Sequence, residues 1–516
     1  MKKIIALIII FSCIMNTATV WATPTGFSGG VNNEYEYEEV IFITGEPIKF
    51  IGEYTISETE KQDTKTTKYT IKNIKPEDKT ITGNLSRTIT VVTKYTDRTD
   101  KGQTIADTTI TRYSETIQIG NDRYTLSDMQ FSKSDVIDNR PAADFYSGNI
   151  KGRKYYTINR DEGTVIVDIS GGNVGYQNFW GNTETQILDY NIQYDRQLTL
   201  AGEEGEEDET QDVSWQGTLR VQASDSTTKV LKYAENEANF SSFNGGYIRV
   251  TNREMVSQYD YDLPKMNTSE SGYNITSAKI ALPDKKKRER DDIRLSKVMV
   301  PKLERLIVPK FRDTGGHWAQ GYIEKLYSLD VFDGNSQFFT PEIPMTRQEF
   351  TKGIIKSCNI RPSLEEKKTT VRKRKQPAEQ SPFADVSIDD PDYEYIKDGV
   401  NKGIIKGELD NFFNPGNPLT RAQAITILIR ALGFENKAPT PGYYISFSDN
   451  SRIPNWAKDS IYVAAEFGLV NGDENNNINP EKVMTRAEAS AMLVRFLEFL
   501  EGDLQRDYRE NIILFN

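Results

Sequence analysis

Between Glu34 and about Pro264 the chain changes between apolar and polar positions in short runs of β-branched and aromatic residues. Val40-Ile41-Phe42-Ile43, Thr88-Ile89-Thr90-Val91-Val92 and Glu115-Thr116-Ile117-Gln118-Ile119 are early examples, and Thr164-Val165-Ile166-Val167, Gly217-Thr218-Leu219-Arg220-Val221 and Tyr247-Ile248-Arg249-Val250 come later. Period-two runs bounded by Gly, Asn, Asp and Pro predict antiparallel strands. Their spacing suits a sandwich or barrel-like fold. We read residues 23–264 as a sandwich-like all-β region, with Pro141 a candidate seam between two packed units. Asp284-Lys285-Lys286-Lys287-Arg288 then opens a mixed-charge stretch, so 265–310 reads as a linker.

After Phe311 the apolar spacing becomes helical, and the chain repeats itself three times. Thr346-Arg347-Gln348-Glu349, Thr420-Arg421-Ala422-Gln423 and Thr485-Arg486-Ala487-Glu488 each follow a proline (Pro341, Pro415, Pro480) at one interval. Each opens an amphipathic run, for instance Ile425, Leu428, Ile429 and Leu432. Thr followed three residues on by Glu or Gln is a capping box that satisfies first-turn amides. The arginine is the less expected residue, because the helix dipole disfavours a cation at the first helical position by about 0.3–1 kcal/mol. One reading makes the helix start, with its amides and a guanidinium, an anion receptor. The other packs the arginine stem on a neighbour or pairs it with a local carboxylate. Upstream of each copy stand Phe311-Arg312-Asp313, Phe383-Ala384-Asp385 and Phe447-Ser448-Asp449, with Trp318-Ala319 in copy one and Trp456-Ala457 in copy three. A glycine turn and then Phe-Thr-Pro, Phe-Asn-Pro or Ile-Asn-Pro complete the unit. Such a helix–loop–helix unit is too small to bury a core alone, so the three must share one.

This ordered pattern resembles the S-layer homology domain of bacterial cell-surface proteins, with repeats at 311–360, 383–434 and 447–502 and a basic insertion at 361–382. The resemblance implies an all-α, pseudo-threefold module that anchors a protein non-covalently by binding an acidic, often pyruvylated, wall polysaccharide in grooves between repeats. It assigns Arg347, Arg421 and Arg486 to the acidic sugar, with Asp313, Asp385, Asp449, Trp318 and Trp456 shaping the grooves. Copy two departs from the pattern: Pro391 stands where the tryptophan would align, with Tyr393 and Tyr395 nearby. Arg421 is therefore expected to matter least.

Lys2-Lys3, the apolar run Ile4 to Met15 and Val20-Trp21-Ala22 predict a secretory signal over residues 1–22, with a lipoprotein signal around Cys13 as the alternative. Its removal takes the net charge from −11 to −13 and leaves Cys358 without an internal disulfide partner. No other stretch is apolar enough to span a bilayer. Export and acidity argue against nucleic acid as a partner. The runs Glu203 to Glu209 and Arg372-Lys373-Arg374-Lys375 read as solvated loops, and Asp473-Glu474-Asn475-Asn476-Asn477 as a turn. With His317 the sole histidine, neither a histidine-based zinc site nor a Ser-His or Cys-His arrangement can be built. No motif calls for a cofactor, and no catalytic residue is assigned. The leading expectation is a non-enzymatic surface or S-layer component, with self-assembly a possible partner interaction. An adhesin and a polysaccharide-active enzyme are the alternatives.

Overall fold

The computed structural model describes residues 28–61, 63–200, 209–234, 246–268, 281–306, 311–332, 336–358, 380–408, 411–439 and 442–503. The signal segment, the acidic run over 203–208 and the basic run over 372–375 lie outside them.

The strands are β1 (Val31–Asn32), β2 (Tyr37–Ile41), β3 (Ile48–Gly52), β4 (Tyr54–Lys61), β5 (Thr64–Pro76), β6 (Gly83–Arg98), β7 (Gln103–Ile119) and β8 (Asp122–Asn139). They continue as β9 (Ala143–Ile158), β10 (Gly163–Asn178), β11 (Gly181–Leu200), β12 (Glu209–Ala234), β13 (Gly246–Thr268), β14 (Ala281–Val298) and β15 (Lys302–Arg305). From β5 to β14 each strand pairs antiparallel with the next, giving one meandering sheet rather than a sandwich. Short hairpins enforce this order: Gly120-Asn121 joins β7 to β8, and Phe179-Trp180 joins β10 to β11. Pro141 is no seam, since β8 and β9 pair from Tyr124↔Ile158 to Asn139↔Asp144.

The sheet curls until its ends meet. Lys297 of β14 forms ion pairs with Glu36 and Glu38 beside β2, and Tyr259 of β13 donates to the Gly29 carbonyl at 2.6 Å. The alternation then has one apolar inside, where Phe50, Leu85, Ile117, Ile158, Val165 and Tyr259 share a single core. Gly175 shows how tightly the inner face is filled. A Cβ there would fall 2.1 Å from the Tyr146 ring, which lies across it from the facing position on β9.

The charged stretch read as a linker is the edge strand β14, which pairs with β13 from Glu254↔Val298 to Thr268↔Ala281. Its charges suit an edge, because Lys, Arg and Glu there block pairing with another chain. Ending the β region at Pro264 would therefore remove a strand of the sheet.

A charged group sits inside the curl. Arg87 donates through Nη1 and Nη2 to Glu39, at 2.7 and 2.8 Å, and through Nε to Glu115 at 2.7 Å. Tyr37 donates to Glu39, while Tyr113 and Tyr156 donate to Glu115. Burial alone would raise the Glu115 pKa, but Arg87 and Lys154 outweigh it and hold the carboxyl well below its ordinary range.

The repeats add α1 (Gln320–Ser328), α2 (Arg347–Ser357), α3 (Tyr393–Asn401), α4 (Arg421–Leu432), α5 (Lys458–Glu466) and α6 (Arg486–Glu498). They do not form an all-α module, since single β-bridges join Pro344 to Thr485, Thr346 to Pro418 and Thr420 to Val483. The helices share their core with Ala142, Ala143, Tyr176 and Trp180 of the sheet. Arg140 donates to the Gly433 carbonyl, Asn178 to the Leu500 carbonyl, and the Leu231 amide to Glu501. The two regions are thus docked through these contacts. Asp144 lies at this contact; burial raises its pKa to about 6, although Lys402 opposes the shift.

Two outcomes are expected. Arg87→Ala leaves two buried carboxylates without their main partner and should cost about 3–5 kcal/mol in denaturant unfolding. For Asp144, a raised acid pKa means a cost present above pH 6 and relieved as the pH falls through that value. Asp144→Asn should therefore melt higher than the parent at pH 8, and the difference should shrink through pH 5 and vanish only below about pH 4, the ordinary carboxyl range of the unfolded chain.

Candidate functional site: the grooves between repeats

Thr346, Thr420 and Thr485 cap α2, α4 and α6, and each forms the full reciprocal capping box. That settles the amide of the third helical residue in each copy. The two amides before it are taken by the next repeat around the ring. The Arg347 and Gln348 amides donate to the carbonyls of Asn417 and Pro415, at 3.0 Å each. Those of Arg421 and Ala422 donate to Lys482 and Pro480, and those of Arg486 and Ala487 to Ile343 and Pro341, all at 2.9 Å. A smaller circuit lies alongside: Met345 donates to Met484, Met484 to Leu419, and Leu419 to Met345, again at 2.9 Å. Three copies therefore close on themselves through backbone alone. The reading of the helix starts as receptors with spare amides is corrected by this, because the first-turn amides are already used.

The three aspartates face inward to the loops. Asp313 accepts from the amides of Phe339 and Thr340, Asp385 from Phe413 and Asn414, and Asp449 from Ile478 and Asn479. The second residue of each pair has a left-handed backbone, with φ of 53° at Thr340, 56° at Asn414 and 52° at Asn479. Each aspartate thus clamps the turn before the repeated proline, and for a β-branched threonine that conformation needs such a clamp. Partial burial works against ionisation of Asp313, but the two amides and Arg486 hold its pKa below the ordinary value.

The side chain of each arginine reaches into the groove formed with the next repeat. Arg347 lies over the Phe413 ring at 5.0 Å, donates to the Lys406 carbonyl at 2.6 Å and stands 3.9 Å from Glu408. Arg486 lies over Phe339 at 4.6 Å and donates to Glu349 at 2.6 Å. Arg347 and Arg486 thus take the packed and paired role, with their guanidinium groups in the grooves.

Arg421 differs. Ile478 replaces the aromatic ring of the other grooves, and the guanidinium makes one hydrogen bond, to the Asn471 carbonyl at 3.1 Å. Among the described residues it has no ion pair. It lines a cavity of about 280 Å³ with Asn471, Asp473, Asn479, Lys482 and Arg495. Lys482 is paired with Glu488, whereas Arg495 has no ion pair among the described residues. Burial disfavours the charge on Arg347 and Arg421, a penalty that a bound anion would relieve.

Trp318 and Trp456 are 58% and 55% exposed on copies one and three. In copy two Tyr393 is buried in the core, and Tyr395 is half-buried beneath Lys352 and Lys356, so no exposed ring replaces the missing tryptophan. Sequence reasoning missed the second basic residue, ten positions after the capping threonine: Lys356, Arg430 and Arg495. Arg430 and Arg495 lie close enough to Arg347 and Arg421, respectively, to repel them. Comparing the copies at that offset would have found the position. Asp473 accepts from the amides of Asn475 and Asn477, as a plain turn does.

A family profile described as the S-layer homology domain matches residues 310–351, 382–425 and 446–490. Among curated proteins, the exoglucanase XynX of Acetivibrio thermocellus is 32% identical over 195 residues, covering 36% of this chain and 16% of that protein. The surface-layer 125 kDa protein of Lysinibacillus sphaericus is 33% identical over 123 residues, 23% of this chain and 10% of the relative. The cellulosome-anchoring protein of Acetivibrio thermocellus is 31% identical over 102 residues, 20% of this chain and 23% of the relative. The chain thus spans less than a quarter of the length of each of these three. The three closed repeats of the C-terminal region are S-layer homology domains.

Proposed function

We propose that this is a cell-surface protein held non-covalently on the wall by its three repeats, through an acidic wall polysaccharide bound in the grooves. The curled sheet is then the displayed part, docked rigidly on its anchor and without catalytic work of its own. Relatives named as a surface-layer protein and a cellulosome-anchoring protein support wall association. No helix among the described residues is long and apolar enough to cross a membrane.

The observation that carries the glycan reading is the groove between copies two and three. It combines an arginine free of carboxylate pairing, a second such arginine and open volume. A carboxylate on a sugar, such as a pyruvyl acetal, would take the place that Glu349 and Glu408 hold in the other two grooves. The ranking expected from the missing tryptophan is thereby reversed: Arg421 becomes the leading contact. Self-assembly by edge pairing is disfavoured by the charges of β14, so any lattice would use other surfaces.

The test is co-sedimentation of the full chain with purified cell walls, with melting followed in parallel. Arg421→Ala should remove a charge-assisted contact of about 1.5–3 kcal/mol, a loss in affinity of roughly 10- to 150-fold. Arg347→Ala and Arg486→Ala should lose less, because their guanidinium groups are already engaged within the protein. A folded Arg421→Ala variant that sediments like the parent would overturn the proposal.

A further inference from the structure

Away from the grooves, the sheet buries a second charged cluster. Lys133 of β8 lies 3.1 Å from Asp135 Oδ2 and 3.1 Å from Glu184 Oε1 of β11. The three side chains are 3%, 10% and 1% exposed. β9 and β10 run between these strands, and the residues facing the two carboxylates there are glycines: Gly148 opposite Asp135 and Gly175 opposite Glu184. A Cβ at Gly148 would lie 1.9 Å from Asp135 Oδ1, so the glycine is what lets that carboxylate lean inward.

The charge count separates this cluster from the one around Arg87. There, Arg87 and Lys154 face Glu39 and Glu115, two cations to two carboxylates, and the two cations hold the Glu115 pKa below its ordinary range. Here one ammonium serves two carboxylates. Burying the leftover negative charge is expensive, so the cluster retains a proton. Burial raises the Glu184 pKa in spite of Lys133, so Glu184 is the carboxyl that burial pushes towards its protonated form. Asp135 Oδ1 is buried without a hydrogen-bond partner and can accept another. Gln186 Nε2 donates to Glu184 Oε1 at 2.9 Å, where it would stabilise negative charge developing on that oxygen.

We propose that Lys133 and Glu184 condense into an intramolecular amide that ties β8 to β11. Asp135 takes a proton from the Lys133 ammonium, and the free amine adds to Glu184 Cδ while Gln186 holds Oε1. The Cδ–Oε2 bond then breaks as Asp135 returns its proton to the departing hydroxyl, and Asp135 accepts the proton still held by the new amide nitrogen. Ammonium and carboxylic acid become amide and water, Asp135 ends protonated, so the buried cluster finishes neutral, and no oxidant or further reactant is needed. The bond would join residues 51 positions apart, in a chain whose one described cysteine, Cys358, forms no disulfide.

Intact mass of the denatured full chain, referred to its observed N-terminus, tests this directly. The parent should weigh one water less than its sequence, and a digest should yield a branched peptide joining Lys133 to Glu184. Lys133→Met should restore the full mass. Asp135→Ala should form the linked species roughly 100-fold more slowly, the usual scale of a lost general base. A parent at full mass overturns the proposal, as does a water loss that persists in Lys133→Met. An unchanged rate in Asp135→Ala overturns the role given to Asp135.

Discussion

A helix start presents amides that its own backbone cannot satisfy, and here that constraint organises the whole C-terminal region. Each repeat solves it partly alone, through a threonine cap, and partly through carbonyls of its neighbour. The solution is cyclic, so no repeat can satisfy its helix start without the next one. Asp313, Asp385 and Asp449 complete it by clamping the turns that carry those carbonyls into place. Cooperative folding of the three copies follows from this accounting as much as from shared apolar surface.

The same geometry fixes where the arginines go. A residue at the first helical position, with its amide tied to the next repeat, must project its side chain into the groove between the two. What distinguishes the grooves is then the neighbouring charge. Glu349 meets Arg486 and Glu408 approaches Arg347, whereas Arg421 bonds a carbonyl and feels Glu488 and Asp473 only beyond ion-pair distance. Similar sequence motifs thus give three grooves whose arginines are unequally paired within the protein.

Much of the anchor was legible because its signals are local. Capping boxes, the repeated proline and the arginine offset are all written within a few residues. The partners of the helix amides were hidden, because each lies in another copy, between 58 and 146 residues away. The β region was read less well. Its strands are 16–26 residues long from β6 to β14, but their outer faces are polar, so only the most apolar parts stood out as short runs. Arg87, Lys133 and Glu184 are polar at inward positions and break the alternation where it would have been most informative. Strand β14 carries so many charges that it passed for a linker, which is what protecting an edge produces. The docking of sheet on helices rests on few residues, and alanines at positions 142 and 143 announce nothing in a sequence.

The cyclic closure is the claim on which the rest depends, and native-state hydrogen exchange at single-residue resolution tests it most directly. The amides of Met345, Leu419 and Met484 should exchange at one common slow rate, set by opening of the whole module, together with the first-turn amides of α2, α4 and α6. Three different rates, each following the local stability of its own repeat, would contradict the account.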